Sequence, residues 1–107
     1  MNIDVNKYYD YRQKVLGTYV DRDHYYGSQC WDLYFDWCEK NGFKGANCTS
    51  SGYVKDIWFD RKTNGMTYNC VEITDLQPGA IVVFKEVPNI TPLSHVAIYD
   101  DHWQYLY

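Results

Sequence analysis

The residues with the types and spacing for nucleophilic acyl chemistry are Cys30 and His95. Cys30 opens a run whose apolar positions 30, 33, 34, 37 and 38 fall on one helical stripe, with Ser28 before it as a plausible cap. A thiol at a helix start meets free backbone N–H groups and the positive end of the helix dipole, which favour the thiolate. The same N–H groups, with the Gln29 side chain, can stabilise a tetrahedral oxyanion. A cysteine on such a stripe is often only packing, the role expected of Cys38. His95 opens the apolar run His95-Val96-Ala97-Ile98-Tyr99, a place from which an imidazole can face a cleft while the next residues anchor it in a sheet. The alternative for His95 is a half-buried ring with a satisfied hydrogen bond. Of the other two histidines, His24 lies in a polar segment and His102 beside a turn, so both are expected in solvent.

The segment ahead of Cys30 has a second chemistry. With Asp21 as position 1, Asp23 is position 3, Tyr25 position 5, Gly27 position 7 and Asp32 position 12. That nearly repeats the EF-hand order of oxygen ligands for a hard cation. It departs in offering only a backbone carbonyl at position 5, Asp instead of Glu at position 12, and Gly at 7 instead of 6. A solvated acidic turn is the alternative, but three carboxylates gathered without a cation repel one another.

These residues need elements to hold them. Periodicity and punctuation predict helices over about Val5–Leu16, Gln29–Lys40 and Tyr53–Asp60. After Asn64-Gly65 the pattern predicts strands over Met66–Ile73, Ala80–Phe84, Ser94–Tyr99 and Trp103–Tyr107, with turns at Pro78-Gly79 and Asp100-Asp101. Helices first and antiparallel strands afterwards make an α+β domain.

A chain of 107 residues suits one domain, and no repeat, linker or low-complexity tract divides it. The net charge of −4 argues against a nucleic-acid partner, because phosphate binding needs a basic face. No stretch reaches the roughly 18 apolar residues of a membrane span, and Met1-Asn2-Ile3-Asp4 lacks the opening of a signal peptide. Four cysteines, at 30, 38, 48 and 70, allow two disulfides, but without an export signal free thiols are expected. No Cys-x-x-Cys or His-x-x-x-His pair suggests zinc. The aromatic share of 19%, rich in tyrosine, suits both a core and a groove for a polar polymer.

Taken in order, Tyr26-Gly27-Ser28-Gln29-Cys30-Trp31-Asp32-Leu33, then Leu76-Gln77-Pro78-Gly79-Ala80-Ile81-Val82-Val83-Phe84, then Ser94-His95-Val96-Ala97-Ile98 resembles the CHAP family, the cysteine, histidine-dependent amidohydrolases/peptidases. The resemblance spans roughly residues 18 to 100. It implies a papain-like fold, helices packed on an antiparallel sheet, and cleavage of an amide bond in bacterial peptidoglycan, often within a bacteriophage endolysin. Cys30 would be the nucleophile and His95 the base. In the calcium-binding subtype the ligands would be the carboxylates of Asp21, Asp23 and Asp32 and the carbonyls of Tyr25 and Gly27. Such a protein is expected as a monomer, made in the host cytoplasm and acting on the wall, with no membrane or nucleic-acid partner. The family's third polar residue, which orients the histidine, sits on the strand after the one bearing His95. Trp103-Gln104-Tyr105-Leu106-Tyr107 has no Asp, Glu or Asn there. Residues 1–107 are therefore expected as a CHAP domain cut short of that residue; the other accounts are a substitute in Gln104 or a backbone carbonyl, or a bare dyad. The competing function is a calcium-binding module of the same fold without catalysis.

Overall fold

The structure, a computed structural model, describes residues 4–16, 30–90, 94–102 and 104–106. It is an α+β arrangement in the order α1 (Val5–Val15), α2 (Cys30–Lys40), α3 (Asp56–Phe59), α4 (Met66–Asn69), β1 (Ile81–Phe84), β2 (His95–Asp100) and β3 (Gln104–Leu106). The strands form one antiparallel sheet, β1-β2-β3.

Helix α2 is central because it is apolar on more than one side. Leu33 and Trp37 join Tyr8 and Tyr11 of α1 and Ile98 of β2 in one cluster. Tyr34, Phe35 and Cys38 join Val96, Ala46, Ile57 and Met66 in another. Trp37 is 1% exposed, and its indole N–H donates to the Gly79 carbonyl at 2.8 Å, so the ring is buried without an orphaned donor. Gly79 N–H in turn donates to the Tyr99 carbonyl at 3.0 Å. The later half of α2 is thereby fixed to the far end of β2.

Helix α1 begins where the Asp4 carboxylate accepts the Lys7 N–H at 3.1 Å. Tyr8 and Tyr11, three apart and so on one face, are its buried side chains. Asp100, expected as a turn residue, is instead the last residue of β2 and is fully buried. Its Oδ2 accepts Tyr8 Oη at 2.6 Å and Arg12 Nη1 at 3.1 Å, and its Oδ1 accepts the His102 N–H at 2.8 Å. A carboxylate can be buried only when so satisfied. Burial and donation to this carboxylate push the Tyr8 phenol far above the ordinary range.

Between α2 and β1 the chain is mostly irregular and held by side chains. The Tyr34 hydroxyl accepts the Ala46 N–H at 2.6 Å. Gly45 permits that approach, because a Cβ there would meet the Phe35 ring at 2.9 Å. The helix expected over Tyr53–Asp60 is the single turn α3, preceded by tight turns in which Asp56 and Ile57 N–H bond to Tyr53 and Val54 carbonyls. Asp56 is buried and accepts both the N–H and the hydroxyl of Ser51, at 2.8 and 2.7 Å. Burial alone would raise its carboxyl; the Ser51, Gly52 and Ser50 donors outweigh burial and lower it. A lowered folded value contributes stability that is present above the unfolded carboxyl range and lost as pH falls through the folded one. Asp56→Ala should cost about 2–3 kcal/mol, read by urea unfolding at neutral pH, with the difference from the parent shrinking below about pH 4. A constant difference down to pH 2 would contradict this role.

Met66–Ile73, expected as a strand, is the short helix α4 followed by residues in no regular element. Gly65 at φ 94° reverses the chain, the Asn64 side chain accepts the Met66 N–H at 3.0 Å, and the Cys70 N–H returns to the Met66 carbonyl at 2.8 Å. Met66 is buried and Cys70 packs beside it, whereas Tyr68 between them and Val71 are exposed, so the segment does not present one strand face to the core.

Candidate active site

Cys30 is the first residue of α2 and half-buried, packed against the cluster that holds Val96. It is the first described residue of α2, and a thiol at a helix start meets unpaired N–H groups. The residues expected before it, Ser28 as cap and Gln29 as oxyanion donor, lie outside the described residues. All four cysteines are free thiols. Three have their thiols pushed up by their surroundings. Cys38 is fully buried and its thiol is raised far above the ordinary range, first by desolvation. Burial, then the Asp56 charge, pushes Cys48 up to about 12, and burial raises Cys70.

His95 is the first residue of β2 and half-buried. Its ladder partner is Phe84, the last residue of β1, and the two rings lie 5.8 Å apart, tilted by 32°. Tyr105 of β3 stands edge-on to Phe84 at 5.0 Å. Strand alternation sends Val96 and Ile98 into the core against α2, and His95 to the face it shares with Phe84. The elements bearing the thiol and the imidazole are therefore packed together, with both residues at the first position of their element. Phe84 was not anticipated as the histidine's neighbour. The signal was present, since antiparallel pairing of 80–84 with 94–99 places the end of one run opposite the start of the other.

Gln104 is excluded as the residue that orients His95. It pairs with Asp100 at the opposite end of β2, five residues and roughly 16 Å along the ladder. Asp100 is engaged with α1, and Asp101 accepts Tyr9 Oη at 2.5 Å. His102 is exposed, as expected.

Of the five calcium-ligand candidates, Asp21, Asp23, Tyr25 and Gly27 lie outside the described residues. Asp32 is described: it is on the first turn of α2, two residues after Cys30, and 1% exposed. A buried carboxylate there is an anionic oxygen donor suited to a hard cation. Among the described residues no group of three or more His, Cys, Asp or Glu side chains is arranged to hold a metal.

Comparison with known proteins adds one likeness. Over 93 residues, 87% of its length, the chain is 42% identical to the D-alanyl-L-alanine endopeptidase of Streptococcus phage B30. The chain spans about a fifth (21%) of that relative. No family model matches the chain, and no solved structure matches it. No helix among the described residues is long and apolar enough to cross a membrane.

Proposed function

We propose that this chain is the catalytic domain of a phage peptidoglycan hydrolase of the CHAP type, with a papain-like fold, Cys30 as nucleophile and His95 as base. The observation that carries the reading is the 42% identity over 87% of the chain to a phage endopeptidase, in a chain where a cysteine opens the central helix and a histidine opens the strand packed on it. Burial pushes the thiols of Cys38, Cys48 and Cys70 away from the thiolate form, which argues against each of them as the nucleophile.

In this mechanism the Cys30 thiolate attacks the amide carbonyl, and the N–H groups of the helix start hold the oxyanion. The protonated His95 ring gives its proton to the leaving amine as the C–N bond breaks, leaving a thioester on Cys30. Water, deprotonated by His95, then attacks the thioester. The acid departs and the thiolate–imidazolium pair is restored. Phe84 limits the positions of the imidazole from one side.

The relative's name points to a D-alanyl–L-alanine bond as the first substrate to try. Purified streptococcal walls should yield new L-alanine amino termini, with stem peptides still attached to glycan, in fragments identified by mass spectrometry. Glycan stripped of whole peptides would assign amidase specificity instead. Walls left intact by the folded chain would sink the hydrolase reading. The protein would be made in the host cytoplasm and meet its polymer once the membrane is breached.

A calcium ion completes this reading. Asp21, Asp23 and Asp32 would supply carboxylates, and Tyr25 and Gly27 carbonyls; bound there, the ion would neutralise the acidic segment and brace the start of α2. The burial of Asp32 on the nucleophile's own helix supports this. Chelation at neutral pH should lower wall clearing and the thermal midpoint together, the latter by several degrees, and added calcium should restore both. If neither moves, the chain has no calcium site.

A further inference from the structure

We infer that Ser94 is a positioning residue for His95, an inference that rests on the dyad proposed above. Ser94 has φ 63°, the left-handed region that non-glycine residues seldom enter. His95 is the terminal ladder residue of β2, paired with Phe84 at the end of β1, so the left-handed backbone of Ser94 takes the chain out of the extended conformation directly before it.

The turn is held from outside the sheet. Ser94 Oγ accepts the backbone N–H of Lys55 at 3.1 Å, a bond across 39 residues to the chain entering α3. Lys55 also pairs through its ammonium with Glu86, just beyond the end of β1. One residue thus grips both ends of the β1–β2 connection, Glu86 by its side chain and Ser94 by its main chain. The next residue, Asp56, holds that turn through Ser51. Lys55 and Ser94 are fixed to the α3 side of the molecule, and His95 follows Ser94 directly. The position of the imidazole therefore depends on a hydroxyl that does not itself touch the substrate.

The test separates position from stability. Ser94→Gly accepts the left-handed conformation freely but loses the oxygen; Ser94→Ala keeps the Cβ and loses the oxygen; Lys55→Ala keeps the N–H and loses only the Glu86 pair. Three quantities are read on the full chain: wall-digestion rate against wall concentration, thermal midpoint, and the imidazole titration of His95 by NMR. Both Ser94 variants should lose about tenfold in maximal rate with half-saturating wall concentration changed less than about twofold. Their His95 titration midpoints should move toward that of Cys30→Ala, in which no thiolate faces the ring, while Ser94→Gly melts no lower than the parent. Lys55→Ala should keep the parent's titration. Parental rates and midpoints in both Ser94 variants would overturn the inference, as would an equal loss in Lys55→Ala. If parent and Cys30→Ala titrate alike, the dyad itself fails; if they differ and the Ser94 variants match the parent, only the role of Ser94 fails.

Discussion

Cys30→Ala should abolish wall clearing, a loss of at least about 10³-fold, with little change in thermal midpoint. The side chain removed is small and half-buried, so the fold loses under about 1.5 kcal/mol, whereas the proposed mechanism loses its nucleophile. Cys30→Ser is the sharper variant. Its hydroxyl nearly preserves shape, but an alcohol stays protonated at neutral pH, where the proposed mechanism calls for a thiolate. It should be as inactive as the alanine variant. His95→Ala should lose a comparable factor, and the double variant should be no worse than either single one, because a nucleophile without its base and a base without its nucleophile fail at the same step. Multiplying losses would mean that the two residues act separately. Turbidity loss of walls, with circular dichroism melts on the same samples, reads all four proteins.

Asp100→Ala should unfold the domain more readily than any other single change considered, by about 3–5 kcal/mol. The substitution removes the acceptor of three donors at once, and two of these, the Tyr8 hydroxyl and the Arg12 guanidinium, come from a helix 88 to 92 residues earlier in the chain. Arg12, with its side chain about a quarter exposed, would retain partial hydration, while Tyr8, fully buried, would keep a hydroxyl without its partner. Asp100→Asn still accepts from Tyr8 but loses the charge, and should cost about half as much. Tyr8→Phe removes one donor and leaves Arg12 and His102 in place, at about 1–2 kcal/mol. Because Tyr8 and Asp100 share one interaction, their effects should not add. A fall in melting temperature of more than about 10 °C for Asp100→Ala is expected in a domain of this size. A fall of under about 3 °C would show that α1 is held mainly by its packing on Leu33, Trp37 and Ile98.

The elements carrying the candidate site were legible because local signals agreed there. The stripe 30, 33, 34, 37, 38 has no helix-breaking residue within it, and α2 fills that span through Lys40. Ala80–Phe84 and Ser94–Tyr99 are short apolar runs bounded by Pro and Gly turns, and β1 and β2 lie within a residue of them. Met66–Ile73 misled because Met66, Tyr68, Cys70 and Val71 mimic a half-buried strand, while the reversal at Gly65 that turns them into a helix depends on the Asn64 side chain. The role of Asp100 was illegible for a different reason. A carboxylate after a strand reads as a turn residue unless its partners are known, and here they lie at the other end of the sequence. Ser94 carries no sequence signal of a left-handed backbone; only its φ and its bond to Lys55 reveal it.

What must hold for all of this is a proton shared between one sulfur and one imidazole. Its most direct test is the alkylation rate of Cys30, followed by mass spectrometry from pH 5 to 10, in the parent and in His95→Ala. The parent's Cys30 should react at pH 6 at least about tenfold faster than Cys38, Cys48 or Cys70, and His95→Ala should return its profile toward that of an ordinary thiol near pH 8.5. Profiles that coincide in the two proteins would contradict the shared proton.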